Sequence, residues 1–514
     1  MILNIYGVKM SVNQALTPVL IPWITGILLI FFFKNIRVQR VLSGCSAVLA
    51  LGNAIHLCNT VSTGGTIIFL AGNWAPPFGI TMVVDLFSAI MVLTSAVVSI
   101  AVVFYSLRMI DELRERHFYY FLVQMVLVGV NGSFITGDIF NLYVFFEIFL
   151  ISSYVLMAIG STRGQLRETY KYVLLNFLAS IFFLVAVALL YGVAGTLNMA
   201  DLACKLPEAP NQGIISLIAV IFIVVFGSKA AVFPLFYWLP HSYTEPPPPV
   251  SALFGGLLTK VGIYCMIRVF TLIFTGDTAF TNGLLFAVGV STMVLGGLGA
   301  IAQYNFRRIL SYHIISQIGY MIMGLAIDTT IALAAAIYFT VHNMIVKTSL
   351  FLFAGVTEKI TGTGDIRLMG GLVHRYPLLG WGFFLGAISL AGVPPFSGFF
   401  AKLLMMSGAS QAKNYLAMFF TLAVGFLTLF SMIKIFMYCY WGEEKPVSQE
   451  ALEPSFNYRR LVLPCLFLVI ISIAMGIGSE PVISRIQHAA EELHTPELYI
   501  RAVFGGTYDT TTWH

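Results

Sequence analysis

A polypeptide in hydrocarbon must pair all of its backbone N–H and C=O groups, so an apolar run of about 20 residues with no charge has one common fate, a membrane-crossing helix. This sequence repeats that feature along its whole length. Charge-free runs lie at 118–137, 172–200, 278–306, 376–401, 414–433 and 461–479. Only 10% of the 514 residues are charged, against about a quarter in a soluble domain, so most of the surface faces lipid. Polar punctuation divides the chain into fourteen expected spans, near 15–33, 41–59, 79–106, 118–136, 138–159, 171–193, 213–238, 248–275, 280–302, 308–326, 329–356, 376–406, 415–440 and 461–479. No small-residue cleavage site follows the first, which therefore reads as a span and not a signal peptide.

Lys and Arg test that count. Seventeen of them fall in odd-numbered loops, and only Lys205 and Lys413 in even-numbered ones. Positively charged loops stay in the cytoplasm, so both termini are expected outside. The small net charge of +5 is a topology signal and gives no reason to expect nucleic acid. Six scattered cysteines without a CxxC argue against a disulfide framework or a structural zinc. Phosphate-loop, dinucleotide, zinc-protease and serine-hydrolase motifs are missing as well, and no cofactor or metal is expected.

Six basic residues remain inside spans: Lys229, Lys260, Arg268, Lys347, Lys402 and Lys434. Each costs about 2.5–3.5 kcal/mol at a helix centre and needs a reason. Lys229 stands in VVFGSKAAVFPLFYWLP, five residues before Pro234, and Lys402 in AGVPPFSGFFAKLLM, after Pro394 and Pro395. Proline removes a backbone donor and breaks a helix. Broken spans in corresponding places of two halves predict an inverted repeat with a transport site at the breaks. The division is 1–117 for helices 1–3, 118–275 for the first five-helix unit, 276–440 for the second, and 441–514 for helix 14 and an exterior polar tail.

Further ionisable groups join these lysines. Lys260 follows EPPPPVSALFGGLLTKVG, where i, i+4 spacing puts Gly256, Lys260 and Tyr264 on one face. Lys347, in YFTVHNMIVKTSLF, shares a stripe with Thr340 and Asn343, with His342 elsewhere on the same helix; His313 lies in SYHIISQIGY. Glu147, in NLYVFFEIFL, is a lone carboxylate among apolar neighbours, with Tyr143 one turn before it. A lysine in a dry site has its charged form disfavoured and can release its proton, while a nearby carboxylate restores the charged form. Glutamate, lysine and histidine at the midplane, bridged by water, therefore make a proton relay in which Glu147 tunes a lysine. Plainer readings stand beside this one. Glu147 is also read as a hydrogen-bonded structural acid, Lys260 as a carbonyl donor, and His313 and His342 as packing residues. Arg268 and Lys434 read as snorkelling or contacting a neighbour. Asp85 and Asp138 read as helix caps, and His241 as either a proton-uptake group or a loop residue.

Across nearly its whole length the chain resembles the antiporter-like membrane subunits shared by Mrp-type multisubunit Na⁺/H⁺ antiporters, respiratory complex I and membrane-bound hydrogenases. The resemblance rests on TGDIFNLYVFFEIFLISSYVL, KAAVFPLFYWLPHSYTEPPPPVSALFGGLLTKVGIY, YFTVHNMIVKTSLFLFAG and SLAGVPPFSGFFAK. It implies an all-α polytopic fold of about fourteen helices, with two inverted five-helix repeats and broken helices 7 and 12. It also implies a proton path through a helix-5 glutamate and lysines on helices 7, 8 and 12, matched here by Glu147, Lys229, Lys260 and Lys402. The helix-11 region matches His342 and Lys347. Some relatives carry glutamate at the position of Lys402, and the run of four prolines at 246–249 is richer than the usual pattern. The chain also stops soon after helix 14, without the long extension of the large Mrp subunit or the lateral helix of complex I.

The expected function is thus proton translocation within a Na⁺/H⁺ antiporter in a prokaryotic cell membrane, alongside other Mrp-type subunits and membrane lipid. Whether Na⁺ itself passes through this chain is not legible. The rival readings are a proton-pumping subunit of a redox complex and an inert scaffold.

Overall fold

The computed structural model describes residues 12–452 and 457–505. Its framework is a bundle of long helices: α1 (Thr17–Phe31), α2 (Ile36–Gly64), α3 (Leu86–Met109), α4 (Tyr119–Ile135), α5 (Ile139–Ala158), α6 (Arg163–Ala194), α7 (Gln212–Ala230), α8 (Pro248–Leu272), α9 (Thr278–Ala302), α10 (Phe306–Ile327), α11 (Thr330–Thr361), α12 (Pro377–Ala391), α13 (Ser397–Gln411), α14 (Tyr415–Cys439) and α15 (Tyr458–Ile477). Twelve helices among the described residues are long and apolar enough to cross a membrane; α4 and α12 are apolar but shorter. A short antiparallel hairpin, β1 (Ile67–Leu70) with β2 (Thr81–Val84), is a small departure from the all-helical expectation.

Local chemistry sets the ends of these helices. Asn35, Asp85, Asp138, Thr162, Asn305, Thr329 and Asn414 each accept a backbone N–H of the turn they begin, which satisfies donors that hydrocarbon would leave unpaired. The expected caps Asp85 and Asp138 are among them. The proline run feeds straight into α8, with Pro248 at the first helical position where no N–H is needed.

Helices α8, α10 and α11 form the centre, with 100%, 94% and 89% of their apolar windows buried, whereas α1, α2 and α14 bury only 33%. The lysines and histidines of interest therefore stand mostly on helices that touch protein on every side.

Arg268 does not snorkel. Its guanidinium lies 2.6 Å from Asp85 at 5% exposure, 3.2 Å from the Tyr264 hydroxyl and 5.3 Å over the Tyr499 ring. Tyr499 comes from the tail, which is not the plain polar segment expected. It folds into amphipathic helices α16 (Ser479–Leu493) and α17 (Pro496–Phe504), which bury Ile486, Leu493, Tyr499 and Val503. A cleft of about 260 Å³ lies between the tail and the ion pair. Glu492 lines it, and burial together with the adjacent Asp85 pushes its carboxyl above the ordinary range.

Removing one partner of a buried pair strands the other charge, which costs about 3–5 kcal/mol. Asp85→Asn should accordingly lower the thermal midpoint of the assembled protein clearly. A midpoint within error of the unsubstituted protein would show that the clamp is not needed.

Candidate functional site

Helix α7 stops at Ala230 because Ala231 turns into the left-handed region at φ 61° and Pro234 cannot continue the ladder. The carbonyl of Ser228, left over at that end, accepts the Trp238 indole N–H at 3.1 Å. Lys229 is thus fixed in the last turn before a break, at 4% exposure. The second break is built in the same way. Helix α12 ends at Gly392 with φ 87°, and α13 resumes at Ser397. A Cβ on Gly392 would come within 2.8 Å of the Lys402 side chain, so glycine serves here as both a turn and a slot. Both breaks fall where the sequence places them.

What holds the lysines is backbone and hydroxyl oxygen. Lys229 Nζ donates to the Asn176 carbonyl at 3.0 Å and to Ser180 Oγ at 3.2 Å. Lys402 Nζ donates at 2.5 Å to the Ala391 carbonyl, the last of the preceding half-helix, where the negative end of a helix dipole favours a cation. Lys260 Nζ donates to the Gly255 carbonyl at 2.6 Å. A π-turn at Phe254–Leu258 interrupts the α spacing on which Gly256 was expected to share a face with Lys260. Tyr264, past that turn, bonds the Phe134 carbonyl at 2.5 Å. Lys347 is fully buried, and among the described residues its ammonium has no partner.

Glu147 makes no direct ion pair with any lysine among the described residues. It is half-buried, and its Oε1 has no hydrogen-bond partner, Tyr143 included.

The two histidines are each half-satisfied. His342 Nδ1 meets Ser397 Oγ at 2.8 Å, and a chain of serine hydroxyls continues to Ser472 and Ser389 in steps of 2.8 Å. His313 Nε2 meets Ser431 Oγ at 2.6 Å. The second nitrogen of each ring is buried without a protein partner. Such a ring can take a proton on one side and release one on the other.

Outside the spans, burial and then the charge of Arg308 hold the His241 imidazole below its ordinary range. Lys434 contacts a neighbour, the second of its two readings. It donates at 2.7 Å to the carbonyls of Ile301 and Gln303, at the end of α9.

Sequence reasoning missed Ser180, Ser389, Ser397, Ser431 and Ser472. A usable signal was present, since each is a hydroxyl on the buried stripe of an otherwise apolar helix.

The transmembrane family described as NADH:quinone oxidoreductase/Mrp antiporter matches residues 136–428. The chain is 49% identical over 491 residues to the D-type Na(+)/H(+) antiporter subunit of Alkalihalophilus pseudofirmus, covering 96% of this chain and 99% of that protein. Among solved structures, a chain of the Mrp complex from Dietzia sp. superposes with a TM-score of 0.90 at 32% identity, over 96% of this chain and all of that one. A chain of the membrane-bound sulfane sulfur reductase, an archaeal respiratory complex, gives 0.89 at 28% identity, with 96% and 100% covered.

Lys347 offers a direct test of how far the site works against the fold. A buried donor with no partner costs about 1–3 kcal/mol, so Lys347→Met should raise the thermal midpoint of the assembled complex while impairing function. A lowered midpoint would mean that the ammonium is a structural element.

Proposed function

The chain belongs to the NADH:quinone oxidoreductase/Mrp antiporter transmembrane family, and on that basis we propose that it is the proton-translocating subunit of a multisubunit Na⁺/H⁺ antiporter. It is a multi-pass membrane protein and a transporter component. The cell membrane of a prokaryote, with both termini outside, is the placement that the basic loops favour.

One observation carries the reading. Lys229, Lys260, Lys347 and Lys402 all lie inside the bundle, and among the described residues none of them is in an ion pair. A lysine at membrane depth pairs either with another ion or with backbone carbonyls, and Lys229, Lys260 and Lys402 take the second course. Lysines held only by carbonyls and hydroxyls can be neutral or charged at modest cost, which is what a proton carrier requires. We assign proton transfer to Lys229, Lys260, Lys347, His342, His313 and Lys402, with water bridging the gaps, and tuning of Lys229 to Glu147. The breaks at Lys229 and Lys402 are taken as equivalent points of two inverted repeats, 118–275 and 276–440. Other antiporter subunits are its partners. Exchange is preferred to redox pumping because the identity to the antiporter subunit, 49%, far exceeds the 28% to the respiratory chain.

The test is Na⁺-evoked proton movement in everted vesicles bearing the whole complex. Glu147→Ala and Lys229→Ala should each reduce it at least about tenfold, or 1.4 kcal/mol in the barrier, with assembly intact. Lys229→Arg should also fail, since arginine keeps the charge but does not give up a proton. Normal transport by all three variants would reduce these residues to structural charges. Proton movement evoked by an electron donor, and not by Na⁺, would support the redox-pump reading instead.

A further inference from the structure

A helix break inside a membrane leaves backbone donors that hydrocarbon cannot satisfy, so the group that receives them fixes the geometry of the break. At the end of α7 the Val232 N–H still reaches the Gly227 carbonyl at 2.9 Å, and the Ala231 N–H the Ser228 carbonyl at 3.2 Å. The next donor is the N–H of Phe233, which in an unbroken helix would bond the Lys229 carbonyl. It leaves that ladder and donates at 2.9 Å to Thr292 Oγ1 on α9. Thr292 is fully buried, and its own hydroxyl proton goes to the Val288 carbonyl at 2.6 Å. The oxygen is therefore left as an acceptor aimed at the break.

Helix α9 lies outside the five-helix unit that contains this break. It is joined instead to α10, the helix of His313. Ser316 Oγ on α10 donates to the Met293 carbonyl, next to Thr292, at 3.0 Å. A Cβ on Gly319 would come within 2.5 Å of the Gly289 carbonyl oxygen, so the two backbones touch. The second break is braced in another way. Ser472 on α15, a helix outside both units, meets Ser389 Oγ on one side of the interruption and Ser397 Oγ on the other, at 2.8 Å each. Packing does not call for the Thr292 oxygen, since valine has nearly the same shape and lacks only the acceptor.

We propose that Thr292 is a positioning residue through which the second repeat holds Lys229. Its oxygen keeps the Phe233 N–H out of the α7 ladder, and this fixes the turn at 231–233 and the lysine just before it. Without the acceptor, that N–H is either stranded in hydrocarbon or drawn back to the Lys229 carbonyl. Either change shifts the lysine relative to Asn176 and Ser180, which hold its ammonium. The Thr292 hydroxyl keeps its own proton on Val288 throughout. This rests on the proposed proton relay and adds to it a tie between the two halves, at a residue that carries no proton itself.

The experiment compares Thr292→Val, Thr292→Ala and Thr292→Ser in assembled complexes. Na⁺-evoked proton movement is taken per complex, and backbone hydrogen exchange is followed in the segment 231–236. Thr94→Val on α3, which removes a buried hydroxyl bonded to the Ile90 carbonyl of its own helix at 2.8 Å, serves as the reference. Thr292→Val and Thr292→Ala should each slow proton movement about fivefold and speed exchange at the break. Thr292→Ser and Thr94→Val should leave both as they are. A merely structural role would not favour serine over valine, which fills the site better. Unchanged rates for the valine and alanine variants, or a serine variant slowed as much as valine, overturn the proposal. Slower transport with unaltered exchange at 231–236 overturns it too, because the effect would then not pass through the break. Should Thr292→Val disturb assembly, Thr292→Ala, which only removes atoms, decides alone. If these variants are silent while Lys229→Ala still abolishes transport, the tie falls and the antiporter reading stands. No Na⁺-evoked movement in the unsubstituted complex would overturn the antiporter reading itself.

Discussion

The arrangement depends on the way ammonium groups are held inside a bundle with little water. An ion in such a medium needs compensation, and the usual compensation is a carboxylate. Here carboxylates serve the clamp and the rims: Asp85 holds Arg268, Glu115 holds Arg40 and Glu358 holds Arg307. Of the central lysines, Lys229, Lys260 and Lys402 receive carbonyl and hydroxyl oxygens instead. A carboxylate would lock the charge in place, whereas a carbonyl solvates either form of the amine. Arginine for permanent pairs and lysine for unpaired positions match the ease with which each gives up a proton.

The breaks in the helices follow from the same need. A continuous helix spends one lone pair of each interior carbonyl on its own ladder and has only the second to offer, as Asn176 of α6 offers it to Lys229. Ending α7 after Lys229 and interrupting the ladder between α12 and α13 frees backbone groups at the depth where they are otherwise scarce. Lys402 takes such a carbonyl directly, from Ala391. The freed groups near Lys229 are absorbed by Trp238 and Thr292, and the lysine turns to α6. The two breaks look alike in sequence, yet they distribute their polar atoms differently.

Much of this was legible beforehand. The apolar runs located the helices, and the prolines and glycines at 234, 392, 394 and 395 located both interruptions, because these residues act through local backbone geometry. The intramembrane charges stood out for the same kind of reason, as rare residues in a medium that rejects them. What was not legible depends on contacts between distant segments. Arg268 read as either snorkelling or contacting a neighbour, and only helix packing, which sets Asp85 against it, decides for the second. The tail looked polar and exterior because its hydrophobic residues fall at helical spacing within a charged stretch, and composition averages such a pattern away. The π-turn at Phe254–Leu258 shifted a face that regular spacing had drawn through Gly256 and Lys260. The hydroxyls that serve the histidines are common residues, significant only once a partner helix is known.

The tail clamp also bears on how such a chain comes to be made. Asp85 and Arg268 are 183 positions apart, and Tyr499, which covers the guanidinium, is translated far later still. During synthesis the third and eighth helices must enter the membrane each carrying a charge whose partner is absent or not yet docked. The guanidinium gains its full set of neighbours only when the amphipathic helices α16 and α17 fold back against it. Completion of the polypeptide is thereby recorded in the energetics of its centre, and a truncated product would carry an uncovered arginine cleft, a feature by which membrane proteases could tell unfinished chains from finished ones.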